Sequence, residues 1–285
     1  MRTALVLAGG GVAGIAWELG VLRGLADADP GLAARIIAAD LVVGTSAGSA
    51  VAAQITSGTP LDDLYQAQLA AETAEIEPAG DLMVMLSGLT RAVADGGAPD
   101  ELRRRIGALA AAADTVDPAA RLASITARLP RDSWPTSPEQ KLVLTAVDID
   151  SGEGVVFHRT SGVPLADAVA ASCAVPCIWP VVTIDGRRYM DGGLREGTNL
   201  DLAAGYDRIL LIMPQLADAP ALWGPELPEQ VAALEPSSVY VVSADQPSLD
   251  AFGANPLSPA TRAPSAEAGR AIGRANAAAV AAFWP

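Results

Sequence analysis

Residues 41–48 read Leu-Val-Val-Gly-Thr-Ser-Ala-Gly, and they constrain the fold more than any other stretch of the chain. An apolar run of strand character enters a Gly-x-Ser-x-Gly turn, and an Ala-rich segment of helical character, residues 49–57, follows at once. A serine in such a turn projects its hydroxyl from the edge of a sheet, while glycines two positions away keep Cβ atoms out of close backbone contacts. The pattern predicts an α/β fold with Ser46 at a nucleophile elbow. The alternative is a glycine-flanked serine that only caps a helix.

A glycine-rich loop near the start of the chain predicts a second strand-to-helix unit. Residues 2–8 predict a short buried strand and residues 15–27 a helix, with Gly9-Gly10-Gly11-Val12-Ala13-Gly14 between them. The glycines match the dinucleotide-binding fingerprint, but that fingerprint expects an acidic residue after the next strand, where this chain carries Ser46. A second interpretation makes them backbone N–H donors to an oxyanion beside Ser46, and a third is a plain tight turn. Only the oxyanion interpretation also accounts for Ser46.

The stretch from about residue 60 to 130 is almost wholly helical in pattern. It predicts four helices, at residues 61–75, 81–94, 99–113 and 118–129, and proline or aspartate opens several of them. We interpret this stretch as a helical insertion or cap that forms a wall of the substrate site. It belongs to a single domain that spans residues 1–285.

The remainder of the chain returns to β structure. Two hairpins are predicted, one around the Ser-Gly-Glu-Gly turn at 151–154 and one through Asp185-Gly186. A final Ala-rich helix at residues 264–283 is expected to pack on the sheet. The predicted strands lie at residues 141–148, 155–159, 181–184, 187–190, 208–213 and 238–243.

Composition and charge exclude several classes of function. Lys and Arg number 19 against 33 Asp and Glu, a net charge of −14, which argues against nucleic acid as a partner and against more than transient contact with an anionic membrane. No apolar run is long enough to predict a transmembrane helix, and the first apolar run is too short for a signal peptide, so we expect a cytoplasmic protein. Cys173 and Cys177 lack metal-binding partners at suitable spacing and are predicted to be reduced packing residues.

A serine nucleophile requires a base, and the chain has one histidine, His158. A triad of Ser46 with Asp148 or Asp150 and His158 is one possibility. However, this histidine lies in a predicted strand beside its acid, and the elbow follows the second strand, too early for an α/β-hydrolase. Asp191 is the better candidate, because Asp191-Gly192-Gly193 directly follows a predicted strand, where active-site loops gather. Its alternative role is that of an ordinary turn aspartate.

Four motifs together resemble the patatin-like phospholipase family. They are the glycine loop at 9–14, Gly-Thr-Ser-Ala-Gly at 44–48, Ala-Ser-Cys-Ala-Val-Pro at 171–176 followed by Trp-Pro at 179–180, and Asp-Gly-Gly at 191–193. The resemblance implies a three-layer α/β/α fold and a Ser-Asp dyad without histidine. Ser46 is then the nucleophile and Asp191 the base, while Gly9, Gly10 and Gly11 form the oxyanion loop. No cofactor or metal is implied.

The chain departs from the family pattern at several positions. An Asp usually precedes the triple glycine and a basic residue precedes the fourth glycine, where this chain has Ala8 and Ala13. The family's Asn-x-Pro is replaced by Asn199-Leu200-Asp201. The expected activity is hydrolysis of a lipid or small carboxylic ester through an acyl-serine, with neutral short or medium acyl esters preferred over anionic vesicles. A dinucleotide-binding protein and a catalytically weak lipid or acyl carrier are the alternatives.

Overall fold

The computed structural model describes residues 1–80, 82–221 and 224–285. Eight strands form one mixed sheet: β1 (Thr3–Leu7), β2 (Leu41–Gly44), β3 (Lys141–Asp148), β4 (Gly154–His158), β5 (Val182–Ile184), β6 (Arg187–Asp191), β7 (Arg208–Met213) and β8 (Ser238–Ser243). All of the predicted strands are present, with ends within one residue of those expected. Both predicted hairpins form, and Asp185 and Gly186 have φ values of 48° and 78°, as their two-residue turn requires.

The described ranges contain twelve α-helices and two short 3-10 turns, at Leu200–Ala203 and Pro259–Thr261. The first six helices are α1 (Gly11–Ala28), α2 (Pro30–Ile37), α3 (Ala47–Ile55), α4 (Leu61–Leu69), α5 (Leu82–Ala94) and α6 (Pro99–Ala112). The others are α7 (Pro118–Arg128), α8 (Leu165–Ser172), α9 (Gly193–Glu196), α10 (Leu227–Ala232), α11 (Gln246–Phe252) and α12 (Arg262–Phe283). The predicted first residue of the second insertion helix, Asp81, lies outside the described residues.

The sheet separates two helical layers. Strands β3, β2, β1, β7 and β8 run parallel in that order, and their side chains alternate between the two faces. On one face Leu5 and Val42 pack against α1, α3 and α8, and on the other Val6 and Val43 pack toward α10 and the first 3-10 turn. The expected three-layer α/β/α arrangement is therefore confirmed.

Four helices, α4 to α7, separate α3 from β3 and form the helical insertion that was predicted there. Helices α5 and α6 pack Ala92 and Ile106 against Met190 of β6. Helix α4 ends six residues earlier than predicted, since the chain turns away after Leu69 and Glu75 pairs with Arg128 instead of continuing the helix. No helix within the described ranges is both long enough and apolar enough to cross a membrane. The single-domain organisation stays a prediction.

The C-terminal helix differs from expectation in its main partner. Helix α12 lies along α1 and touches the sheet chiefly at β8, whereas direct packing on the sheet was predicted. Glycines permit this close approach, because a Cβ on Gly20 would lie 2.2 Å from the carbonyl oxygen of Ala266 and one on Gly269 would lie 2.1 Å from that of Trp17. Five of the described helices were not predicted: α2, α8, α9, α10 and α11.

Candidate active site

Ser46 lies in a sharp turn between β2 and α3. Its φ of 51° is rare for a residue other than glycine, and such strain is concentrated at functional sites. The flanking glycines are required by contact: a Cβ on Gly48 would lie 2.2 Å from the carbonyl oxygen of Leu7, and one on Gly44 would lie 2.6 Å from that of Gly48. This is the elbow that the sequence predicted, and a plain capping role is disfavoured because the Ser46 side chain caps nothing in α3.

The end of α8 supports this turn from behind. The backbone N–H of Ser46 donates to Oγ of Ser172 at 2.9 Å, and Sγ of Cys173 donates to the carbonyl oxygen of Ser46 at 3.1 Å. Both cysteines are unpaired and buried, as expected. Residues 171–176 were recognised in the sequence as a motif, but their contact with the Ser46 turn was not predicted. That contact depends on α8, a helix that the sequence pattern did not reveal.

Strand β3 brings the ends of two other strands together. One edge of β3 pairs with two strands in succession. Its first half pairs with β2, and this pairing ends with Gly44 opposite Leu144. Its second half pairs with the antiparallel strand β6, and this pairing begins with Asp191 opposite Ala146. Its other edge is taken by β4. The last residues of β2 and β6 therefore face each other across two residues of β3, a separation of roughly 7 Å. This topology places Asp191 beside the turn that carries Ser46.

A buried network of polar side chains closes the gap between the two strand ends. Oγ1 of Thr45 is hydrogen-bonded to Oγ1 of Thr145 at 3.0 Å, and Nδ2 of Asn199 donates to Thr45 Oγ1 at 2.9 Å. The same amide donates to the carbonyl oxygen of Gly192 at 3.0 Å. Asn199, noted in the sequence only as a departure from a family motif, thus joins the serine turn to the aspartate turn.

The carboxylate of Asp191 is buried, with only 7% of the residue exposed, against 6% for Ser46. Its Oδ1 accepts the backbone N–H of Gly193 at 2.8 Å, while Oδ2 has no hydrogen-bond partner of normal geometry among the described residues. Burial raises the pKa of Asp191 to about 6, and the nearby Ser46 hydroxyl and the Gly193 amide act in the opposite direction. The group is therefore placed to exchange a proton near neutral pH.

The glycine loop lies against the serine. A Cβ on Gly9 would lie 3.3 Å from Cβ of Ser46, and the Gly9 carbonyl accepts a hydrogen bond from the Gln215 side chain. Gly11 is the first residue of α1, so this helix begins four residues earlier than predicted. Within the described residues, the amides of Gly9, Gly10 and Gly11 donate to no protein acceptor. They are available to a developing oxyanion at a helix N-terminus.

The dinucleotide interpretation fits this loop poorly. A Cβ on Gly10 would lie 2.3 Å from Pro214, and one on Gly11 would lie 2.8 Å from both Leu257 and the Pro256 carbonyl oxygen. That carbonyl also accepts the N–H of Ala13 at 2.9 Å. A pyrophosphate would need the space beside these glycines and the N–H groups at the N-terminus of α1. Pro214, Pro256 and Leu257 occupy that space, and the Pro256 carbonyl occupies one of the N–H groups.

The structure does not assemble a triad with His158. This residue is exposed on β4, and its Nδ1 accepts the backbone N–H of Thr160 at 3.3 Å. Asp148 is occupied elsewhere, because its Oδ1 accepts the N–H of Asp150 at 2.9 Å and its Oδ2 accepts Nε of Arg187 at 2.8 Å. In the described ranges no three His, Cys, Asp or Glu side chains gather as metal ligands.

The cavity at Ser46 is small. A cavity of about 10 Å³ is lined by Ser46, Trp179 and two arginines of the insertion, Arg121 and Arg128. It has room for about one water molecule, so an acyl chain can reach the serine only after these side chains or α7 move.

The chain is similar to one protein family and to several solved structures. The Patatin-like phospholipase family model matches residues 5–204. No curated protein matches significantly. Among solved structures, VipD from Legionella pneumophila is similar at 12% identity and a TM-score of 0.47, covering 98% of this chain and 67% of that one. The type III effector ExoU is similar at 17% identity and a TM-score of 0.42, covering 98% of this chain and 53% of that one. In the complex of SpcU with ExoU from Pseudomonas aeruginosa, the match has 16% identity, a TM-score of 0.37, and coverage of 94% and 52%.

Proposed function

The chain belongs to the patatin-like phospholipase family, and from this membership and the site geometry we propose that it hydrolyses carboxylic esters of lipids or small molecules through an acyl-Ser46 intermediate. The observation that carries the proposal is the convergence of β2 and β6 on one edge of β3, which puts the buried Asp191 carboxylate beside Ser46. This chain covers 67% of the VipD chain and 53% of the ExoU chain. The substrate is therefore proposed from the site of this chain and not from those proteins.

The reaction begins with proton transfer. Asp191 accepts the hydroxyl proton of Ser46 as Oγ attacks the ester carbonyl carbon, and the carbonyl oxygen becomes the oxyanion. The amides of Gly9, Gly10 and Gly11 donate to that oxyanion at the positive end of α1. When the tetrahedral intermediate collapses, the alcohol leaves with the proton from Asp191 and the acyl-serine remains.

The second half repeats this chemistry with water. Asp191 takes a proton from a water molecule, whose oxygen attacks the acyl carbon, and collapse breaks the bond to Ser46 Oγ while the proton returns to that atom. The carboxylic acid is released and the site is restored. A pKa of about 6 suits both steps, since Asp191 is mostly ionised at neutral pH yet basic enough to accept a proton.

Covalent labelling tests the proposal directly. We expect a fluorophosphonate probe to label the parent protein at Ser46, as shown by peptide mapping, and to leave a Ser46→Ala variant unlabelled. Ser57→Ala, in the turn that follows α3, serves as the control and should label like the parent.

Two results would contradict the proposal. The first is a folded parent that neither labels nor hydrolyses esters, and tight NAD retention by such a protein would favour the dinucleotide alternative. The second is hydrolysis that persists fully in Ser46→Ala. Retention of fatty acid without turnover would instead favour the lipid or acyl carrier.

A further inference from the structure

The inward face of α7 carries an unusual set of polar residues. Arg121, Ser124 and Arg128 are spaced three and seven positions apart, so they lie on one side of the helix. Arg121 and Ser124 are 6% and 4% exposed, and the Arg128 side chain is 7% exposed. Two guanidinium groups and a hydroxyl therefore occupy positions where a helix normally places apolar side chains.

These groups are incompletely paired. Nη1 of Arg121, Oγ of Ser124 and Nε of Arg128 are buried and have no hydrogen-bond partner among the described residues. Buried polar groups in proteins are normally satisfied, and those that are not call for a specific explanation. The two arginines of this helix face therefore have N–H donors that an acceptor outside the protein can bind.

The charge of this helix face is only partly paired. Arg128 pairs with Glu75 at 2.5 Å, whereas no carboxylate among the described residues pairs with Arg121, which stacks on Trp179 with Cζ 3.6 Å from the ring centroid. Burial lowers the pKa of Arg121 to about 10, so the group is still charged at neutral pH. The stacked ring holds the plane of the guanidinium and leaves its N–H edge for an acceptor.

Both arginines line the same small cavity as Ser46, whereas Ser124 lines a second cavity together with Arg128 and Glu75. We propose that Arg121 and Arg128 form a subsite for an anionic oxygen group, a phosphate or a carboxylate, carried by the ester that Ser46 attacks. The inference rests on the proposed function and names its substrate class. It reverses the expectation of neutral substrates drawn from the net charge of −14, because the charge at the site differs from that of the whole chain. The cavity of about 10 Å³ is too small for a phosphate, so binding requires α7 or its side chains to shift outward.

Matched ester pairs test this subsite. One pair is 4-nitrophenyl valerate and mono-4-nitrophenyl glutarate, which differ by a carboxylate, and the other is 1,2-dihexanoylglycerol and its phosphate monoester. We expect the parent to prefer the anionic member of at least one pair in kcat/KM, and the pair affected identifies carboxylate or phosphate. Arg121→Gln should lower that preference by about tenfold or more.

Two further variants keep the test interpretable. Arg104→Gln removes an exposed insertion arginine that pairs with Asp100, and it should leave the preference unchanged. Arg121→Lys keeps the positive charge but loses the forked guanidinium, so it should lower the preference by a smaller factor, which matters if Arg121→Gln does not fold. The inference is wrong if the parent shows no preference, or if Arg121→Gln and Arg121→Lys slow both members of each pair equally.

A binding measurement separates this inference from the proposed function. Glycerol 3-phosphate and glutarate are titrated calorimetrically into the parent, Arg121→Gln and Arg104→Gln. Binding to the parent that is lost only in Arg121→Gln supports the subsite even if no ester is hydrolysed, in which case the proposed function alone fails. Absence of binding of both anions to a hydrolytically inactive parent overturns the subsite as well.

Discussion

The sheet and the helical insertion distribute polar and apolar groups in opposite ways. In β1, β2 and β7 the side chains are almost wholly apolar and buried, and the polar residues at the strand ends are joined by hydrogen bonds. The insertion instead presents apolar side chains to solvent and buries arginines against the site. Apart from Met1, every large apolar side chain that is exposed in the described ranges lies there: Met83, Val84, Leu86, Val93, Leu109 and Leu122.

This opposite placement of polar and apolar side chains indicates that the sheet and the insertion have different roles. Burial of apolar surface stabilises folded proteins, so the sheet with its helical layers supplies most of the stability and a rigid base for Ser46 and Asp191. The insertion contributes less to the core, and its outer apolar faces suit contact with acyl chains. Four predictions separate the two regions, in order of decreasing effect.

Loss of the base in the sheet should have the largest effect. Asp191→Asn keeps the shape of the side chain and its bond from Gly193 but cannot accept the serine proton, so kcat should fall by about 10³-fold or more. His158→Ala, on exposed β4, should stay within a few-fold of the parent. Steady-state rates of purified variants, with folding checked by circular dichroism, measure both. The dyad fails if the histidine variant is inactive and the asparagine variant is active.

Replacing a glycine by alanine should lower the catalytic rate when the glycine lies in the site, but not when it lies in the insertion. An added Cβ at Gly9 would press on Cβ of Ser46 at 3.3 Å and displace the loop amides, so Gly9→Ala should lower kcat by about 10²-fold. An added Cβ at Gly88 of α5 would lie 3.1 Å from the flexible end of Leu109, and Gly88→Ala should keep parental activity. Equal rates for the two variants would remove the glycine loop from the mechanism.

The pH dependence should report the buried carboxylate of the sheet. With the pKa of Asp191 near 6, kcat/KM should fall about tenfold per pH unit below that value. Since the folded pKa lies above the ordinary value of 3.8, the parent should lose stability as pH rises from about 4 through 6, by at most roughly 3 kcal/mol.

Asp191→Asn should remove this loss of stability, so the variant should exceed the parent above pH 6 and match it below pH 4. Denaturant unfolding at several pH values measures the difference. A variant that is equally stabilised at every pH would contradict the assignment of the shift to Asp191.

The smallest effects are expected from a Val→Thr substitution made once in the sheet and once in the insertion. The two changes in unfolding free energy compare the two regions directly. Val43→Thr in β2 buries a hydroxyl at a fully buried position and should cost about 1–3 kcal/mol of unfolding free energy. Val93→Thr in α5, at a position 44% exposed, should change it by no more than about 0.5 kcal/mol. Chemical denaturation of the two variants provides the test. Equal costs would show that the insertion shares the stability of the sheet.

Local patterns determined much of the fold. Apolar runs bounded by glycine and proline predicted every strand, because a buried strand needs continuous apolar side chains and its ends need turn residues. The two glycine motifs placed Ser46 and the loop at 9–11 after their strands, since those turns admit only glycine at close backbone contacts. Asp191 was found as a strand-end carboxylate, and its role as the base stays a prediction.

Contacts between distant segments decided the rest. The meeting of Ser46 with Asp191 depends on β2 and β6 sharing one edge of β3, and a pairing register between residues so far apart leaves no local pattern. The helix α8 behind the elbow lacks a polar face, because the sheet and α3 bury most of it, so periodicity did not reveal it. Nothing in the sequence distinguishes Arg121 and Arg128 from ordinary surface residues of an amphipathic helix. Only the packing of α7 over Ser46 turns them inward, because the direction that a helix face points is set by what the helix packs against and not by its own sequence.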